Sequence, residues 1–103
     1  MTEKVDANEI ISQIDLPNGD SIILLDRLGK GDRYSREELA RNVFRIDRSN
    51  HIKWWVKSPF DGEGNPFTRL HCDGGKVTAY RWDGGSYWID IETGAATPLI
   101  LQR

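Results

Sequence analysis

Among 103 residues there is one cysteine, Cys72, and there are two histidines, His51 and His71. A single thiol closes no internal disulfide, so stability rests on packing, and the usage suits a reducing compartment. Neither histidine is spaced with cysteine or acids in a ligand pattern, which leaves no metal site to propose. The glycines close hairpins and do not open a helix, so no phosphate cradle is present, and there is no nucleophile elbow. No apolar run approaches the roughly 18–20 residues of a membrane-spanning helix. The stretch Met1-Thr2-Glu3-Lys4-Val5-Asp6 lacks the basic-then-apolar layout of a secretory leader. The chain is therefore expected to be cytoplasmic, to make no membrane contact, to use no metal or cofactor and to have no catalytic residues.

Charge is scarce in sum but unevenly spread. The net charge is −2, yet residues 1–26 carry −5, residues 27–57 carry +5 and residues 58–103 carry −2. A basic middle could attract nucleic acid. Its cations are interleaved with apolar residues and local acids, and the pI near 5.6 argues against direct nucleic-acid binding.

What the chain does have is repetition. Val43-Phe44-Arg45-Ile46-Asp47-Arg48-Ser49-Asn50 is echoed 43 positions later by Ser86-Tyr87-Trp88-Ile89-Asp90-Ile91-Glu92-Thr93, followed by Gly94. Both read as strand, Asp, turn: the carboxylate reaches backbone N–H groups just ahead, and Asn50 and Gly94 tolerate positive φ. An earlier echo sets Leu16–Leu24 against Leu70–Ala79 at an offset of 54–55. The difference is an extra segment, Gly29–Ala40, where the second copy has only Asp83-Gly84-Gly85. Two copies of a four-stranded unit follow, with the period of a propeller blade and too few blades to close a ring.

The chain thus reads as a single all-β domain, 1–103: two four-stranded antiparallel units, a half β-propeller of about eight strands, with at most one short helical turn. Unit one covers 9–57. Its strands 9–16 and 21–28 are joined by Pro17-Asn18-Gly19-Asp20, whose Asn-Gly pair favours a tight hairpin turn. The run Ile22-Ile23-Leu24-Leu25 is apolar on both faces and should be an inner strand. Ser35 with Glu38 three residues on can cap a helical turn. Strands 42–47 and 51–57 complete the unit. The linking loop 58–66, with two Pro and two Gly, is irregular. Unit two, 67–102, has strands 67–71, 76–82, 86–91 and 96–102, the last at a sheet edge because Pro98 lacks an N–H.

Four Trp, three Tyr and three Phe are the other asset. Alternation in strand 51–57 places Ile52, Trp54 and Val56 on one face and Trp55 among His51, Lys53 and Lys57 on the other. Tyr80, Trp82, Tyr87 and Trp88 crowd one hairpin, partly as cross-strand pairs. Cys72 reads as a half-buried thiol beside a turn.

The segment Phe44-Arg45-Ile46-Asp47-Arg48-Ser49-Asn50-His51-Ile52-Lys53-Trp54 resembles the strand, Asp, turn and Trp-ending strand of quinoprotein-type propeller blades, with Asn50 or His51 where those blades have Gly. As a free-standing pair of blades, the chain is similar over residues 9–102 to small bacterial immunity proteins of contact-dependent growth inhibition systems, whose toxins are often nucleases. That resemblance implies a monomer that joins a cognate toxin in a 1:1 heterodimer and covers its active site or substrate cleft. Against a basic RNase cleft it implies acids that mimic phosphate together with aromatic anchors, expected on the linking loop and hairpin tips: Phe60, Asp61, Glu63, Asp73, Trp82 and Asp83. A rival surface is the basic strip of Arg45, Lys53 and Trp55. Two other readings stand beside it, a sugar- or small-molecule-binding β module built on Trp55, Trp82 and Trp88, and a domain that self-assembles through its open flanks.

Overall fold

The computed structural model describes residues 7–82 and 84–99. The expected strand end at 100–102 and the hairpin-tip residue Asp83 lie outside the described residues. Eight strands form: β1 (Ile10–Asp15), β2 (Ser21–Leu25), β3 (Val43–Ile46), β4 (Ile52–Trp55), β5 (Phe67–Asp73), β6 (Lys76–Arg81), β7 (Ser86–Ile89) and β8 (Ala96–Pro98). They make two antiparallel four-stranded meanders, β1-β2-β3-β4 (sheet one) and β5-β6-β7-β8 (sheet two). The only α-helix among the described residues is α1 (Arg36–Ala40), whose cap, Ser35, accepts from the Glu38 N–H while Glu38 returns a bond to the Ser35 N–H. The architecture is the all-β, two-unit one, with Pro98 on an edge strand.

The turns explain the repeat. Asp47 Oδ1 accepts from the N–H groups of Ser49 at 2.8 Å and His51 at 3.0 Å, and Asp90 Oδ1 accepts from Glu92 at 2.9 Å. Asn50 sits at φ 66° and Gly94 at φ 80°. Gly74 and Gly75 both take positive φ, as a two-residue hairpin turn between β5 and β6 requires. The Asn18-Gly19 turn closes the expected tight hairpin, with a longer loop than the β5–β6 one. Gly19 N donates to Leu16 O and Leu16 N to Asp20 O, so three residues form the loop and only Gly19 is left-handed. In a two-residue Asn-Gly loop Pro17 would also have to donate to Asp20 O, the second bond of the closing pair, and proline has no N–H.

The two sheets stack in one direction. If the Asp47 and Asp90 turns are made equivalent, Phe44 corresponds to Tyr87. Their partners Ile23 and Ala79 then correspond as well, one position beyond the sequence echo. Yet Tyr87 and Ala79 lie in the core between the sheets, whereas Ile23 and Phe44 pack on the far side of sheet one. The same blade face therefore points outward in unit one and inward in unit two. That is the relation of consecutive propeller blades; a two-fold sandwich would put equivalent residues face to face.

The intersheet core consists of Ile22, Leu24, Val43, Trp54 and Val56 from unit one against Phe67, Val77, Ala79, Tyr87, Ile89 and Ala96 from unit two. Burial of each large aliphatic side chain there contributes about 1.5–3 kcal/mol. A β-bulge corrects one expectation about β4. Arg45 pairs with Trp54 and Ile46 with Ile52, leaving Lys53 as the extra residue. Ile52 thereby swings to the outer cluster of Ile23, Leu25, Phe44 and Ile46, and Lys53 turns to Asp20 at 2.7 Å instead of standing beside Trp55.

Candidate functional site

The two outer faces of the stack have different fates. Over sheet one, the extra segment between β2 and β3 folds back as a cover. The Arg27 guanidinium lies 4.1 Å from the Tyr34 ring centroid and 5.7 Å from that of Phe44, and Arg27 Nη1 donates to Glu38 O of α1. Lys30 and Tyr34 both reach the Glu9 carboxylate. Phe44, Ile23 and Leu25 are buried as a result. Unit two has a short hairpin in the equivalent place and, among the described residues, no cover.

The outer face of sheet two is consequently open. Register places Arg69 beside Tyr80, His71 beside Thr78 and Asp73 beside Lys76, then Thr78 beside Trp88 and Tyr80 beside Ser86. Thr97 stands beside Trp88, and Leu99 N donates to Ser86 O, continuing the row. Trp82 is 59% exposed, Tyr80 42% and Trp88 41%. Three shallow depressions follow one another across this face. The first is lined by Leu28, Thr68, Arg69, Tyr80 and Trp82, the second by Arg69, His71, Thr78, Tyr80 and Ser86 among others. The third, about 590 Å³, is lined by Lys76, Thr78, Trp88, Ile91 and Leu99 with Gly75 and Ile89. Shared walls make them one band from Leu28 to Leu99. Exposed apolar side chains gathered in a band are the mark of a contact surface, whereas single ones are not.

The residues expected at the site are distributed unevenly. Trp82 falls on the band. Asp73 is exposed on the same face, at the opposite end of β6. Phe60 and Glu63 are exposed on the linking loop, which makes a short 3-10 turn at Asp61–Glu63 against α1.

Asp61 is not available to a partner. It is 5% exposed, ion-paired to Arg41 at 2.8 Å and to Arg81 at 3.2 Å, and its Oδ1 accepts from Ser58 Oγ at 2.8 Å. Burial works to raise its pKa, but bonds from Arg41 and Ser58 prevail and hold it below the usual carboxylate range. Its role is to neutralise Arg81, which is fully buried between the Phe67 and Tyr87 rings. The sequence pattern gave no sign that a buried arginine needed this acid.

The basic strip also dissolves as a surface. Arg45 is buried, bonded through Nε to Asp20 Oδ2 at 3.0 Å and through Nη1 to Ile91 O at 2.9 Å. Lys53 shares the same Asp20 oxygen. The Lys53 bond, ahead of Arg45 and against the cost of burial, draws the Asp20 pKa down. Trp55 stays half-exposed beside Arg27, Glu37, Glu38 and Arg41 in a smaller depression of about 240 Å³. Sequence reading singled out Tyr80, Trp82, Tyr87 and Trp88 as an aromatic crowd; Tyr87 lies instead in the core, and Arg69, Leu99 and Leu28 were missed as neighbours of the other three. The usable signal was the alternation Val77-Ala79-Arg81 against Thr78-Tyr80-Trp82, which separates a core face from an aromatic outer one.

Among the described residues there is no cluster of three or more His, Cys, Asp or Glu placed to hold a metal, and no helix long and apolar enough to cross a membrane. Residues 2–99 match a family model described as Domain of unknown function (DUF7957). No curated protein and no solved structure matches the chain.

Proposed function

We propose that this chain, which belongs to the DUF7957 family, is an immunity protein that binds a cognate toxin one-to-one and neutralises it, and that it does so through the outer face of sheet two. The toxin class is a nuclease, as the immunity-protein resemblance implies. One observation carries the reading: among the described residues the blade stack is capped on one side and bare on the other, and the bare side holds Tyr80, Trp82 and Trp88 in a continuous shallow band. A shallow, aromatic-rich face of this kind suits a protein partner better than a small molecule, which binds in concave pockets that bury most of its surface.

The test is co-expression with the product of the reading frame immediately upstream, followed by affinity purification and a nuclease assay. A stoichiometric complex in which the activity vanishes supports the reading. Absence of a complex, or a complex with undiminished toxicity, overturns it.

A further inference from the structure

We infer that the partner surface received by sheet two is an apolar patch with an acidic rim, on a separately folded protein, and that it lies outside the basic cleft in which a nuclease holds its substrate. This rests on the inhibitor reading above and specifies what that inhibitor touches.

The one-directional stacking supplies an internal comparison. Three outer positions on the two inner strands of sheet two have counterparts in sheet one that are buried between the sheets. Thr78 corresponds to Ile22, Tyr80 to Leu24 and Ser86 to Val43. Those three aliphatic residues are 0–1% exposed and make a permanently dry contact. In the same places sheet two offers two hydroxyls and a phenol, groups that water satisfies while the face is bare and that a partner can satisfy afterwards. This is the composition of a face that alternates between solvent and a partner made elsewhere. An obligate interface resembles a core cut in half and has no use for it.

Charge chooses among the occupants. On β5 and β6 Arg69, His71 and Lys76 share the outer face with one acid of those two strands, Asp73, and among the described residues Arg69 and Lys76 have no ion-pair partner. A two-fold pairing of two such faces would bring these cations into one interface. Head-to-tail stacking of two copies is closed off because the complementary face of sheet one lies under Tyr34, Arg27 and α1. Rim cations with no ion-pair partner among the described residues call for acids on the partner. A nuclease cleft is itself basic, so the site of contact for this face lies elsewhere on the toxin, which departs from the cleft-covering mode that the immunity-protein resemblance implies. A single strand of RNA would also welcome aromatics and cations, but the net charge of −2 and two unpaired cations provide little counterion release.

The experiment uses the full chain with three probes: the upstream product, a uridine 20-mer, and the chain itself. Binding to the upstream product is expected to weaken about tenfold or more between low and high salt. The double variant Arg69→Glu/Lys76→Glu should lose about 100-fold in affinity with an unchanged unfolding midpoint, and the wild-type complex should still bind a short uncleavable substrate analogue. If the wild type neutralises the toxin and the double variant does so equally well, the inference is overturned and the inhibitor reading survives. Exclusion of the analogue from the complex likewise overturns it. Failure of the wild type to bind or inhibit removes the inhibitor reading and this inference together. Tight uridine binding lost in Trp88→Ala assigns the face to nucleic acid, and dimerisation lost in the same variant assigns it to a second copy; either result overturns the inference.

Discussion

The side-chain amide of Asn42 grips the backbone of Phe67 at two points: Oδ1 accepts from Phe67 N and Nδ2 donates to Phe67 O, both at 2.8 Å. The same Nδ2 donates to Leu25 O at 2.7 Å. A fully buried amide thereby acts as a missing strand neighbour and ties sheet two to β2. Asn42→Ala leaves three buried backbone groups without these partners. At roughly 1–3 kcal/mol for each group left unsatisfied, a loss of about 3 kcal/mol or more is expected, read from urea unfolding midpoints. Asn42→Asp removes the donor and should do no better.

Arg81 of unit two pairs with Asp61 of the linking loop and donates through Nη2 to Ala40 O of unit one. Removing one member of a buried pair is far costlier than removing both. Asp61→Ala, which strands the Arg81 charge beside Phe67 and Tyr87, should cost about 3–5 kcal/mol. The double variant Asp61→Ala/Arg81→Met should recover much of it. Equal losses in the single and double variants would show that the pair is not coupled.

The same acid sets a pH dependence. The Asp61 carboxyl is held below its ordinary value in the native state, so its contribution is full above about pH 4, the unfolded pKa. It is lost as pH falls through the lower native value. Asp20 and Asp47 are also held low, Asp20 chiefly by Lys53 and Asp47 chiefly by the His51 N–H. Stability measured from pH 7 to pH 2 should fall on the acid side, and a variant carrying Asp61→Asn should fall less steeply.

Two glycines at positive φ separate strain from crowding. At Gly94 a Cβ would sit 2.6 Å from Trp54 Cε3, whereas at Gly74 nothing lies within 4 Å. Gly74→Ala should cost about 1 kcal/mol, the backbone penalty alone. Gly94→Ala should cost about 2 kcal/mol more, because Trp54 must give up its place in the core. Thermal unfolding of the two variants checks the order.

The cover over sheet one has its own test. Replacing Gly29–Ala40 with a short turn bares Ile23, Leu25, Phe44 and Ile46 and frees the face that would dock on the next molecule's sheet two. Concentration-dependent head-to-tail association should appear by sedimentation, where the intact chain stays monomeric.

Much of the fold was legible because repeat, turn chemistry and alternation agreed. Asp47, Asp90, Asn50 and Gly94 marked equivalent turns, and Ile22-Ile23-Leu24-Leu25 announced a strand covered on both faces. What was not legible depended on tertiary context. The bulge that moves Ile52 and Lys53 leaves no local mark in Ile52-Lys53-Trp54-Trp55. The pairing of Asp61 with Arg81 spans 20 residues, so an acid on a Gly/Pro loop read as exposed when it is buried. The linking loop drew attention by composition, whereas the open face became visible only once the direction of stacking showed which side of β6 had no cover.

Hydrogen–deuterium exchange of the chain, alone and with the upstream product, tests most directly whether the bare face is the one used. Slowed exchange over β6, β7 and the segment around Leu99, with the 58–66 loop unchanged, is the expected result. Protection confined to 58–66, or none on β6 and β7 in a complex that still neutralises the toxin, contradicts it.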